Sequence, residues 1–217
     1  MKRLHCLCCA LLSAAALLPL PAEKISFQAD SMSGVSGQTN EQTVLSGNAS
    51  VITETMEIAA DTIELSGTDF RFITATGQVS GTNTESQLQF TCSSMRYDRT
   101  TKIAILQDSV HLVDVENDVT ADAELIEYNQ TTDIAVMQIQ VTLVQKDNTC
   151  TAAYAVYQKE AQLLTMTGNP QIVQGTDTFR ALEIQLNLDT QEIKLDGRVK
   201  GSVTTKDSQT AAPSPEE

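Results

Sequence analysis

The sequence has no tryptophan, and its aromatic residues stop at four tyrosines and five phenylalanines in 217 residues. A β-sandwich ordinarily fills its middle with large side chains, so an interior of this composition is walled by small β-branched and aliphatic groups. Cysteine is scarce too. Of five, Cys6, Cys8 and Cys9 stand at the start, and only Cys92 and Cys150 remain beyond them. Two thiols are too few to be the framework of the fold. His111 is the one histidine after residue 22, and no metal-ligand His and Cys spacing or phosphate-cradling glycine loop is present. Basic residues are few as well. Without residues 1–22 the chain carries 12 Lys and Arg against 28 Asp and Glu, a net charge of −16. That balance argues against nucleic acid, whose binding rests on neutralising phosphates, and disfavours an anionic membrane face.

No apolar run after the first 22 residues approaches the roughly 20 residues of a spanning helix. The longest apolar stretch is at the start, too short for a spanning helix, where Lys2 and Arg3 precede Leu4 through Leu18, followed by Pro19, Pro21 and Ala22. This is the pattern of a cleaved signal peptide over 1–22. A lipid-modified cysteine would follow the apolar core, whereas Cys6, Cys8 and Cys9 lie at or before its beginning. The processed chain is expected to be soluble, with one domain over 23–203. A disordered acidic tail is expected over 204–217, where Pro213, Pro215 and two closing glutamates stand.

What fills the domain is a repeat. Leu45-Ser46-Gly47-Asn48-Ala49-Ser50-Val51 recurs as Ala75-Thr76-Gly77-Gln78-Val79, as Met166-Thr167-Gly168-Asn169-Pro170-Gln171-Ile172 and as Leu195-Asp196-Gly197-Arg198-Val199. Leu106 to Leu112 and Met137 to Leu143 keep the alternation without the glycine. The anchor positions Ala49, Val79, Val110, Val141, Pro170 and Val199 are spaced by 30, 31, 31, 29 and 29 residues. Six units of this period make a stacked repeat architecture.

A second marker runs in parallel: Ala29-Asp30, Ala60-Asp61, Cys92-Ser93, Ala121-Asp122, Thr151-Ala152 and Ala181-Leu182. Each precedes a short alternating strand such as Ile63-Glu64-Leu65 or Ile126-Glu127-Tyr128, so each repeat holds two strands. Clusters of Gly, Asn, Asp, Ser and Thr separate them. Period-two alternation puts Leu106, Val110 and Leu112 on one face, and likewise Met137, Ile139, Val141 and Leu143. In the other strand the step is odd, as from Phe90 and Cys92 to Met95, which predicts a bulge or bend just after each Ala-Asp. No helical period persists, so helix content is expected to be very low.

The leader, the repeated Ala-Asp strand (Ala60 to Leu65) and the apolar-x-Gly-Asn strand (Leu45 to Val51, and Leu164 to Gly201) together resemble the OstA-like, or LptA, family of periplasmic lipopolysaccharide-transport bridge proteins. The resemblance spans roughly 25 to 203. It implies an all-β fold, an open β-jelly roll or V-shaped stack of antiparallel strands, in the periplasm. It implies a non-catalytic carrier of lipopolysaccharide or a related glycolipid, without cofactor, metal or catalytic residues. Its partners would be inner-membrane and outer-membrane lipid-transport proteins reached through edge strands, and a head-to-tail homo-oligomer.

On this reading acyl chains lie against Leu45, Val51, Ile63, Leu65, Val79, Met95, Val110, Val141, Ile172, Ile184 and Val199. Small walls leave room for a guest, which gains about 0.8 kcal/mol per buried CH₂. Val-rich alternation is also simply what a sheet core needs, so a self-assembling structural β-repeat protein without lipid cargo stands as the alternative. The last anchor strand, Lys194 to Val203, alternates charged residues with apolar ones, which either blunts pairing at the edge or sets its register.

His111, between Val110 and Leu112, is expected to face solvent. Asp30, Asp61 and Asp122 recur at repeat spacing and are expected to stabilise turns. Cys92 occupies the slot of Ala in sibling repeats and reads as a small buried hydrophobe. Cys150 is expected on the opposite face, with both thiols free, because strands two repeats apart lie about 9.6 Å apart and a disulfide needs Cα atoms within about 7 Å.

Overall fold

The computed structural model describes residues 24–35 and 42–204. The signal peptide expected over 1–22 and the tail beyond Thr204 lie outside the described residues. The chain opens with two short strands, β1 (Ser26–Gln28) and β2 (Ser31–Val35). Eight long ones follow: β3 (Gln42–Ile52), β4 (Met56–Ser66), β5 (Phe72–Asn83), β6 (Leu88–Asp98), β7 (Ile103–Asp114), β8 (Val119–Asn129), β9 (Ile134–Gln145) and β10 (Asn148–Gln158). Six more short strands close the domain: β11 (Leu163–Thr167), β12 (Gln171–Gln174), β13 (Asp177–Arg180), β14 (Glu183–Asn187), β15 (Ile193–Asp196) and β16 (Lys200–Ser202). The only helical element among the described residues is a turn of 3-10 helix at Thr68–Phe70. All sixteen strands join one antiparallel sheet, each long strand pairing its sequence neighbours.

The short strands are halves of broken long ones. At one end β1 and β2 both pair with β3, on either side of its midpoint. At the other, β11 and β12 both pair with β10, and the ladder divides into β11–β14–β15 and β12–β13–β16. The sheet is therefore creased along its middle into two arms, one holding β2, β11, β14 and β15 and the other β1, β12, β13 and β16. This is the open β-jelly roll, all-β and repeat-built.

The crease has a local cause. Consecutive residues turn left-handed at Gly47-Asn48, Gly77-Gln78, Asp108-Ser109, Ile139-Gln140, Gly168-Asn169 and Gly197-Arg198, with φ between 46° and 78°. Facing each pair across the ladder is a single residue, as Asp61 faces Gly47 and Asn48 between the partners Ser46↔Thr62 and Ala49↔Ala60. Two residues against one is a bulge, and it bends the strand while raising its twist. On the glycine side Leu45, Ala49 and Val51 stay inward, and on the facing side inward residues step by three, from Ala60 to Ile63. The bend predicted after Ala-Asp is there.

The fourth and fifth markers also precede a crease. The register breaks at Glu124, two residues after Asp122, and at Ala153, the residue after Ala152. Strand register, not the identity of a dipeptide, sets the crease. Asp122 instead pairs outside it with the exposed His111, Nδ1 to Oδ1 2.8 Å. Ile139 is also misplaced by simple alternation. As a left-handed residue at the crease it is exposed, while Met137, Val141 and Leu143 are buried.

Hairpins close on a recurrent turn. Asn83, Asp98, Asn129 and Asn187 each end a strand and accept, through Oδ1, backbone N–H bonds from residues two and three positions on. A short Asx side chain mimics the backbone in this way, which is why these residues stand at strand ends.

Candidate functional site

The inner faces of the two arms form one apolar interior. In the β2 arm Leu45, Ile63, Ala75, Met95, Leu106 and Ile126 stand opposite one another strand by strand, and Met137, Ala155, Met166 and Ile184 continue the row. Directly opposed residues share a face, so one continuous stripe runs the length of the stack. A matching row in the β1 arm includes Val51, Ile58, Phe90, Leu112, Leu143, Cys150 and Ile172. Few of these side chains are aromatic, as the composition required.

Ten of the eleven residues expected to line the interior do point into it. Leu45, Val51, Ile63, Leu65, Val79, Met95, Val110, Val141, Ile172 and Ile184 are all 0–2% exposed. They touch protein, so any guest reaching them must part the arms. Val199 does not belong with them. The expected strand from Lys194 to Val203 breaks at left-handed Gly197 and Arg198 into β15 and β16, and Val199 is left outside both at 54% exposure.

Cys150 also departs from expectation, since it points inward and is fully buried. It lies three residues before the crease at Ala153, the place Phe90 holds before Ser93 in its own repeat, and shares that inward face. Burial pushes its thiol up to about 12. Cys92 is raised to about 11, again chiefly by burial, although backbone bonds at Gln107 and Ser94 act the other way. Both cysteines are free.

Toward the mouth of the V the lining turns polar. Tyr97, Tyr128 and Tyr157 recur at spacings of 31 and 29 residues and alternate with Ala104 and Ala135 across the ladder. Their rings are buried and their hydroxyls reach polar partners: Gln130 Oε1 at 2.7 Å for Tyr97, Asp133 for Tyr128, and Asp114 Oδ2 at 2.9 Å for Tyr157. Burial, followed by the neighbouring carboxylate, pushes the Tyr128 and Tyr157 hydroxyls well above the ordinary range. The rim of the β1 arm is polar as well, with Asn83, Asp114, Gln145 and Asn148 all buried. Period analysis centred on glycine and valine passes over this tyrosine row; aligning aromatics at the same period finds it.

The rims touch. Asp114 of the β1 arm meets Tyr157 and Lys159 of the β2 arm, and Lys159 Nζ lies 3.2 Å from Asp114 Oδ1 and 2.5 Å from Glu116 Oε2. Burial alone would lower the Lys159 pKa, but the bond to Glu116 and the charge of Asp114 outweigh it and raise it. One repeat further on, Gln145 Nε2 and Lys146 Nζ donate to the Leu188 carbonyl at 3.1 and 3.4 Å, and Asn148 donates to Gln191 Oε1 at 2.5 Å. Before them, a polar hollow of about 700 Å³ separates Glu54, Thr55, Thr84 and Glu85 from Lys102, Gln130 and Thr131.

The edges are the remaining surface. Phe27 and Met32 stand opposite Val51 and Leu45, extending the inner face to the first edge, and are 50% and 62% exposed. At the far edge Ile193 and Leu195 extend it on β15, half-buried. Among the described residues no group of His, Cys, Asp and Glu is arranged to hold a metal, and no helix is long and apolar enough to cross a membrane.

Comparison with known proteins gives one family. The model of the LptA/(LptD N-terminal domain) LPS transport protein matches residues 28–162 and, in an overlapping second match, 122–192. Among solved structures, LptH from Pseudomonas aeruginosa, described as the LptA homologous periplasmic component of the conserved lipopolysaccharide transport device, aligns with 89% of this chain and 91% of its own. Identity is 15% and the TM-score 0.27, a superposition too loose to carry an argument. No curated protein matches.

Proposed function

The chain belongs to the LptA/LptD N-terminal domain family of LPS transport proteins, matched over most of its length, and from that premise we propose that it is a non-catalytic periplasmic carrier. It moves lipopolysaccharide or a similar glycolipid from the inner toward the outer membrane, as one unit of a bridge. The observation that carries this reading is the gradient across the interior: aliphatic at the crease, then a tyrosine row, then buried Asp, Lys, Asn and Gln at the mouth. A lipid with several acyl chains and a polar head has the same order of chemistry. Tails between the arms gain about 0.8 kcal/mol per buried CH₂, and the head stays at the wet rim. Ten of the expected contacts, Leu45 through Ile184, lie on this path; Val199 is withdrawn from it.

Open edges supply the bridge. Among the described residues β1 and β2 pair only with β3, β15 only with β14 and β16 only with β13. Each end thus offers unpaired backbone groups beside an apolar margin, the requirement for strand addition by a second copy or by a transport partner at either membrane.

One observation favours the cargo-free scaffold. The interior is already closed on itself, with the ten residues at 0–2% exposure, and a closed core needs no guest. Lipid extraction of the protein purified from its native envelope, followed by mass spectrometry, separates the two readings. The carrier reading predicts a co-purifying multi-acyl glycolipid. Its absence, with no displacement of a fluorescent fatty-acid probe, leaves the scaffold.

A further inference from the structure

The contacts across the mouth repeat with the fold. Tyr128 meets Ser86, Tyr157 and Lys159 meet Asp114 and Glu116, and Leu188 and Gln191 meet Gln145, Lys146 and Asn148. Each set joins a hairpin of one arm to a hairpin of the other, and successive sets advance by about one repeat. They differ in kind. The first is a single hydroxyl contact and the last is neutral except for Lys146. The middle set holds an ion pair that is almost wholly out of water, with side-chain exposures of 7% for Lys159 and 1% for Asp114.

From this geometry we infer that the Asp114, Tyr157 and Lys159 contact is a latch that holds the arms together across the mouth and bars cargo from the later repeats until it opens. The inference rests on the carrier reading for its purpose but not for its mechanics. Removing Lys159 alone strands the Asp114 carboxylate in a dry site and favours opening, whereas Lys159 without Asp114 keeps the Glu116 carboxylate at 2.5 Å. A two-position arrangement follows: latched, with the interior sealed, or parted, with the inner face open along the later repeats. The polar hollow on the N-terminal side of the latch, bounded by Glu54, Thr84, Lys102 and Gln130, is where the rims already stand apart, so loading starts there and proceeds past the latch.

The test places spin labels at Asp118 and Glu160, exposed residues on the two hairpins, and measures their distance distribution in the full chain. The unaltered latch is expected to give one short, narrow distribution. Lys159→Met, which leaves the Asp114 carboxylate in the dry site without its cation, is expected to raise the long-distance population by about tenfold or more. Tyr157→Phe, which removes the hydroxyl's bonds to Asp114 and Gln162 but keeps the ring in place and the ion pair intact, is expected to raise it by a smaller factor, and circular dichroism reports that both variants keep their sheet. Distributions indistinguishable from the unaltered chain in both variants overturn the latch. Adding purified lipopolysaccharide to the same samples tests the carrier reading separately. If Lys159→Met opens the arms while lipid changes neither protein, the latch stands and the carrier reading falls.

Discussion

The carboxylate of Asp30 sits over Gly47, with Oδ2 2.5 Å from where a β-carbon would stand, and Asp61 stands in the same relation to Gly77. Asn48 completes the first contact by donating from Nδ2 to Asp30 Oδ2 at 2.8 Å, and Gln78 makes the longer equivalent to Asp61 at 3.5 Å. These two creases therefore couple a left-handed backbone to an acidic side chain from the preceding segment of the chain, whereas Gly168 and Gly197 meet Ala153 and Leu182 instead. Gly77→Ala is expected to cost about 2 kcal/mol or more, part from the positive φ and part from the collision with Asp61. Adding Asp61→Gly is expected to return the collision part only. Urea unfolding of the four members of this cycle measures both.

Ile139 is the crease residue least suited to its place. It is β-branched, has φ of 66° and is 56% exposed. Ile139→Asn keeps the left-handed turn at lower steric cost and removes an exposed apolar side chain, and is expected to stabilise the domain by about 1 kcal/mol. A urea midpoint that moves down contradicts this.

The alkaline limb of stability depends on the mouth. Tyr128, Tyr157 and Lys159 all have raised folded pKa values. A raised group contributes fully below its unfolded value, about 10 for tyrosine and 10.4 for lysine, and loses that contribution as pH rises through the folded value. Because the buried thiols of Cys92 and Cys150 are also raised, to about 11 and 12, stability is expected to hold from pH 7 to about 8.5, to start falling as unfolded thiols ionise, and to fall more steeply above about 10, where the mouth contributes. Tyr157→Phe is expected to flatten the fall, as read from urea midpoints across that range.

The two thiols provide a check on closure. With Cys92 raised to about 11 and Cys150 to about 12 by burial, neither is expected to react with a thiol reagent at pH 8 in the native protein. Both are expected to react in denaturant, and reduction is expected to leave the mass of the monomer unchanged. Native reactivity of Cys150 alone would show that the arms part without help.

The sixfold period and the all-β architecture could be read from the chain because a crease demands left-handed residues at regular intervals, and glycine followed by Asn, Gln or Arg marks four of the six. The two middle creases were harder to place. Asp108-Ser109 and Ile139-Gln140 take the same backbone conformation without glycine, so only spacing reveals them. Ala121-Asp122 looks like the marker, yet the register break falls at Glu124. Val199 follows the anchor pattern but lies where the last strand has split, with no further strand among the described residues to cover it. The contacts across the mouth were out of reach altogether. They join residues 42 to 46 positions apart, and that offset depends on how the creased arms twist over one another, which no local pattern encodes.

The central claim is that acyl chains occupy the space between the arms. A photo-crosslinking amino acid placed in turn at Val79 and Met95, which face inward, and at Gln89 and Thr91, which face outward, tests it most directly in the native envelope. Crosslinks to glycolipid from the two inward positions and none from the two outward ones are predicted. Equal labelling of both faces, or none from within, contradicts the account.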